Sequence, residues 1–123
     1  MRYPDTIARS LAIGDPADGH YALKEVRTSG GAVAQVTDEE IVEAVGLLAR
    51  TEGIFAETAG GVTIGALAKL AAQGVVRPEE TVGAYVTGMG LKTVDAFAER
   101  FHPAATISPK LAALAEVVGP QAV

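Results

Sequence analysis

Two short blocks hold the residues whose types and spacing could do chemistry. The first is Val86-Thr87-Gly88-Met89-Gly90-Leu91-Lys92, an apolar stretch that turns through glycines toward a helix-forming run. A Thr hydroxyl at such a turn can donate to or accept from a heterocycle nitrogen, and the glycines let a flat ring approach the backbone. Ligands of open α/β sheets bind at the carboxyl ends of strands, which is where this block would lie. The same residues also describe an ordinary strand-to-helix turn in which Thr87 caps the helix, and short motifs alone leave that alternative open. Only G-x-G is present. The third glycine of a dinucleotide fingerprint would fall at Thr93, so that fingerprint is excluded.

The second block is Glu57-Thr58-Ala59-Gly60-Gly61-Val62-Thr63. Glycines at a helix N-terminus expose amides that can hold an anion. Glu57 would oppose an anion there, which favours a tight turn with Glu57 and Thr58 as helix-start residues. Other polar groups offer less. His20 follows a loop and lacks a partner group, and His102 precedes Pro103. Asp15 and Asp18 flank Pro16 as turn formers, and Asp38, Glu39 and Glu40 read as a solvated helix start. Lys24, Lys69, Lys92 and Lys110 have no obvious apolar pocket of the kind a nucleophilic amine needs. Two distant histidines and no cysteine exclude disulfides, thiolate metal sites and a recognisable metal-ligand motif.

The elements that must position these blocks are marked by turn residues. Gly14 to Gly19 is a loop, followed by a short helix from His20 to Arg27 that stops at Gly30-Gly31. Ala32-Val33-Ala34-Gln35-Val36 reads as a strand. Thr37-Asp38-Glu39-Glu40 has the form of a capping box, and Ile41, Val42, Val45, Leu48 and Ala49 then recur at helical spacing up to Gly53. Val62 to Ala72 is almost wholly apolar and narrow, as a buried helix would be. Thr81 to Val86 reads as a second strand, Leu91 to Arg100 as a helix, and Leu111 to Val118 as a short terminal helix.

Strands alternating with helices predict an α/β fold: a small parallel sheet of two or three strands flanked by helices, in a single domain over 1–123. So few strands, beside so apolar a helix, suggest part of a larger sheet or a protein that needs a partner. The 123 residues carry 10 basic and 15 acidic side chains, a net charge of −5, which disfavours nucleic acid and anionic membrane surfaces. A hydrophobic content of 49% excludes a disordered tail. No apolar run is long enough to span a membrane and the N-terminus lacks a signal-peptide core, so a soluble, cytoplasmic protein is expected.

Taken in order, the blocks resemble the C-terminal part of the threonine synthase family, which belongs to the tryptophan-synthase β-like, fold type II group of pyridoxal-phosphate enzymes. Pro4-Asp5-Thr6-Ile7-Ala8 and Ala12-Ile13-Gly14-Asp15-Pro16-Ala17 are similar to the segment that re-enters the large domain, with Asp15 where the family usually has Asn. Ser29-Gly30-Gly31, Thr37 to Ile41, Glu52 to Phe55, Glu57 to Thr63 and Thr87 to Thr93 follow in family order. The resemblance implies that the chain is part of the large domain and that pyridoxal phosphate is the cofactor. It gives Thr87 the bond to the pyridine nitrogen, with Gly88 beside it, Glu57 near the ring, and Thr58 and Ala59 lining the pocket. The family's reaction takes O-phosphohomoserine and water to threonine and phosphate. Its Schiff-base lysine and phosphate-binding loop belong to an N-terminal part that this sequence does not contain. The chain is therefore expected to be catalytically incomplete, to bind the cofactor non-covalently at most, and to form a homo-oligomer or pair with a complementary N-terminal catalytic chain. A split-enzyme subunit, a separately encoded domain and an excised piece all fit, as does a non-catalytic binding or assembly module that kept the fold.

Overall fold

The computed structural model describes residues 4–103 and 105–119. Four α-helices run in chain order: α1 Gly19–Ser29, α2 Asp38–Glu52, α3 Thr58–Ala72 and α4 Leu111–Val118. Single 3-10 turns lie at Arg9–Leu11, Gly90–Lys92 and Val94–Phe97.

Helix α2 forms because its start is chemically closed. The Glu40 amide donates to Thr37 Oγ1 at 3.3 Å, and the Thr37 amide donates to Glu40 Oε2 at 2.6 Å, so both halves of the capping box are made. It stops at Gly53, whose φ of 69° is a left-handed conformation that costs glycine nothing. Between these ends Ile41, Ala44, Val45 and Leu48 form one buried stripe. Each of the larger three contributes about 1.5–3 kcal/mol by leaving water.

That stripe packs on α3, the main helix–helix contact of the chain. The approach is close because α3 presents glycines. A Cβ at Gly61 would lie 2.8 Å from the Ile41 carbonyl oxygen and from Val45 Cγ2. Gly60 and Gly61 therefore sit inside the first turns of α3, which begins at Thr58, and not ahead of a helix starting at Val62 as the apolar run suggests. A second buried cluster joins Phe97 to Phe55 and Phe101, with ring centroids 5.4 and 6.0 Å apart. The N-terminal stretch is tethered to α2 by Asp38, which accepts from Thr6 Oγ1 at 2.6 Å and from the Ile7 amide at 3.2 Å. Asp38 is thus a fastening and not merely a solvated cap. Helices α1 and α4 bury no residue.

The expected small parallel sheet of two or three strands flanked by helices is absent: the described residues are helical and include no strand. A lone antiparallel bridge joins Ala56 to Met89. The stretch 32–36 and the stretch 81–86 form no regular secondary structure and are unpaired, and in them only Ala34, Val36 and Val86 are even half-buried. Strand preference reflects packing against a neighbouring strand more than a backbone tendency, and no such neighbour lies within the described residues. Both stretches instead cross the glycine face of α3, Val36 over Gly65 and Val86 over Gly60. Lys69 Nζ donates to the Gln35 carbonyl at 2.6 Å. The helix expected over Leu91 to Arg100 is also corrected. Thr93, at φ −135° and ψ 39°, breaks it into two 3-10 turns, because its hydroxyl is engaged elsewhere.

Candidate functional site

The two chemistry-bearing blocks meet. Glu57 N–H donates to the Gly88 carbonyl at 2.9 Å, and Gly90 N–H donates to the Phe55 carbonyl at 2.8 Å, flanking the Ala56–Met89 bridge. One residue beyond Glu57, and three beyond Gly90, the Thr58 amide donates to Thr93 Oγ1 at 3.3 Å. Helix α3 thus has its N-terminus stapled to the turn at 88–93.

Glu57 holds the N-cap position of α3, and its side chain makes no capping bond. Its carboxylate packs on the bare Cα of Gly88, where a Cβ would fall within the carboxylate itself. The outer oxygen, Oε2, lies 2.9 Å from Lys92 Nζ. The Glu57 side chain is 7% exposed and that of Lys92 63%, so the pair runs from the interior to the surface. Thr58 is fully buried, and its hydroxyl has no hydrogen-bond partner. Ala59 is half-buried, Gly88 is half-buried, and Thr87 is exposed.

Of the residues singled out in the sequence, Glu57, Thr58, Ala59, Thr87 and Gly88 therefore fall in one neighbourhood. Thr87 does not cap a helix: the cap position of the 3-10 turn is Met89, and no side chain bonds there. Sequence reasoning overlooked Lys92 and Thr93 as partners of the Glu57 block. Both lie beyond Gly90, past the paired residues, so the pairing of the two blocks does not by itself bring them there, and no signal in the sequence points to them. The remaining candidates stay apart. His20 is exposed and lies against Tyr21, with ring centroids 3.8 Å apart, and His102 is exposed. Glu40 belongs to a cap and a surface pair: Lys69 Nζ, 2.8 Å away, and the Thr37 amide hold its carboxyl below the usual value of 4.5. Among the described residues no cluster of His, Cys, Asp or Glu suits a metal ion.

An open groove of about 440 Å³ lies between α2 and α3 near Glu43, Leu47, Ala68 and Arg100, and Thr87 does not line it. A smaller hollow of about 260 Å³ is lined by Ile7, Arg9, Lys92, Thr93 and Asp95 and adjoins the clamp. The clamp brings the exposed Thr87 and the buried Glu57 carboxylate together, and neither residue lines the larger groove.

A family model described as "Pyridoxal-phosphate dependent enzyme" matches residues 1–88. The chain is 47% identical over 93 residues to the threonine synthase of Methanocaldococcus jannaschii, covering 76% of this chain and 23% of that protein. It is 42% identical over 92 residues to the threonine synthase of Bacillus sp. (strain ULM1), covering 75% and 26%. It is 40% identical over 95 residues to that of Mycobacterium tuberculosis, covering 77% and 26%. The chain spans about a quarter of the length of these curated relatives.

Proposed function

The chain belongs to the pyridoxal-phosphate dependent enzyme family, and on that premise we propose that it supplies the pyridine-ring side of a threonine-synthase site. The anchoring lysine and the phosphate loop come, on this reading, from a complementary N-terminal segment in a cytoplasmic two-chain or homo-oligomeric assembly. The reaction is conversion of O-phosphohomoserine and water to threonine and phosphate. The observation that carries the reading is the clamp that joins the Glu57 block to the Thr87 block through the Gly88 and Phe55 carbonyls.

The residues present fit one face and edge of a flat ring. Thr87 is exposed and has no capping duty, Gly88 carries the Glu57 carboxylate on its bare Cα, and the buried Thr58 hydroxyl is unpartnered. When bound, pyridoxal phosphate supplies an electron sink for the substrate. Thr87 would hydrogen-bond the ring nitrogen. A neutral hydroxyl leaves that nitrogen less protonated than a carboxylate partner would. Glu57, fixed on Gly88, would present its carboxylate near the ring.

Two features support the need for a completing segment. On α3 the side chains of Val62, Ile64, Leu67 and Leu70 are only half-buried, although the helix is apolar nearly all round. Tyr85 is 86% exposed and Val33 75%, both large apolar side chains on stretches with no regular secondary structure.

Co-expression with the N-terminal three quarters of a threonine synthase tests the reading. The expected result is a two-chain complex that binds pyridoxal phosphate and releases threonine. Thr87→Val keeps the side-chain volume and removes the hydroxyl. A ring nitrogen left unsatisfied costs about 1–3 kcal/mol, or roughly fivefold to 150-fold in rate if felt only in the transition state. Thr87→Ser should be tolerated. Unchanged turnover in a normally folded Thr87→Val complex removes the cofactor role of Thr87. A complex that assembles but never binds the cofactor favours an assembly module instead.

A further inference from the structure

We infer that Lys92 is a positioning residue that acts through Glu57: it draws the buried carboxylate away from the N-terminus of its own helix and pins it on Gly88. The inference rests on the proposed cofactor role of the Thr87-Gly88 turn and adds the residue that sets that turn in place.

The observation behind it is the direction of the Glu57 side chain. A negative charge at a helix N-terminus is favoured by the macrodipole and by the first amides, which have no partner within the helix. Glu57 makes no such bond. Among the described residues its carboxylate has one ionic or hydrogen-bonding partner, Lys92 Nζ at 2.9 Å. A carboxylate with a 7% exposed side chain needs a partner, since an unpaired charge out of water is strongly unfavourable. The mostly exposed lysine loses little hydration in serving as one. Without Lys92, the local remedy for Glu57 is to swing back to the free amides of α3. That movement lifts the carboxylate off Gly88, whose bare Cα it covers, and loosens the adjacent bond from the Glu57 amide to the Gly88 carbonyl. Lys92 itself stands on the 3-10 turn Gly90–Lys92, directly before Thr93, whose hydroxyl takes the Thr58 amide. The pair and the backbone clamp therefore support each other.

Amide hydrogen exchange of the full chain by NMR tests this without cofactor or turnover. In Lys92→Met the Glu57 and Gly90 amides should exchange at least about tenfold faster, while those of Val45 and Leu48 in α2 keep their rates, because local opening is read separately from global unfolding. Lys92→Arg should restore slow exchange. In a Glu57→Gln background, Lys92→Met should add nothing, as required if Lys92 acts through Glu57. Unchanged exchange at Glu57 and Gly90 in Lys92→Met overturns the inference, as does an equal acceleration in α2, or a full additional effect in the Glu57→Gln background. The cofactor reading fails separately, through Thr87→Val, and would leave these exchange results standing.

Discussion

The contact between α2 and α3 is set by a missing methyl group, and adding it back gives a sharp test. In Gly61→Ala the new Cβ would lie 2.8 Å from three atoms: Ile41 Cγ2, Val45 Cγ2 and the Ile41 carbonyl oxygen. The first two are side-chain atoms of fully packed residues, and the third is helix backbone that cannot rotate aside. Relief requires the helices to separate, and overpacking of this kind costs about 1–3 kcal/mol. Alanine returns about 0.5–1 kcal/mol through its better helix propensity. With a backbone atom among the clashes the upper end of the range applies, so the net loss is about 2 kcal/mol. Gly65→Ala is the control on the same face of the same helix. Its Cβ would meet Val36 Cγ1 at 3.1 Å and then nothing nearer than Ala44 Cβ at 3.6 Å. Val36 lies on a stretch with no regular secondary structure and can give by a few tenths of an ångström. Gly65→Ala should therefore be neutral or stabilising by up to about 1 kcal/mol. Urea unfolding followed by far-UV circular dichroism reads both. With a slope of about 1–2 kcal/mol/M, the midpoint of Gly61→Ala should fall by roughly 1 M or more. Equal midpoints for the two variants, or a more stable Gly61→Ala, would refute the packing argument.

Two further outcomes follow from the same structure. Lys69 and the Thr37 amide hold the Glu40 carboxyl below 4.5, so the folded chain binds that proton less readily than the unfolded chain. The resulting stability is complete above about pH 4.5 and drains as pH falls through the folded value. Glu40→Gln keeps an N3 cap but no charge. Its stability deficit against the parent should shrink on acidification from pH 7 to 3, and salt should reduce it at neutral pH, since the pair is only half-buried; a deficit constant across that range contradicts the assignment. Phe97→Ala should cost about 3–5 kcal/mol by emptying the Phe55–Phe97–Phe101 cluster. Phe101→Ala, at a residue 43% exposed, should cost clearly less in the same denaturation assay, and equal losses would mean that Phe97 is not the centre of the cluster.

What was legible in the residues alone was local. Thr37 and Glu40 stand three apart ahead of an apolar stripe, and a capping box needs nothing beyond that spacing, so the start of α2 and its end at Gly53 were readable. The bounds of α4, Leu111–Val118, followed from flanking Pro109 and Gly119. The family was legible as well, because ordered blocks persist whatever the rest of the fold does. Tertiary structure decided what depends on a partner. The stretches 32–36 and 81–86 have strand-like composition, yet a strand exists only where another backbone accepts its hydrogen bonds, and among the described residues none does. Gly60 and Gly61 read as helix breakers until Ile41 and Val45 are placed against them; then they are what lets α3 approach at all. Thr93 stopped the expected helix because its hydroxyl was taken by the Thr58 amide, 35 residues away in sequence. The pairing of Glu57 with Lys92 is of the same kind. Glu57 read as a helix-start residue and Lys92 as a lysine without an apolar pocket, and only the clamp, by holding the turn at 88–93 against the start of α3, made one of them buried and the other its counterion.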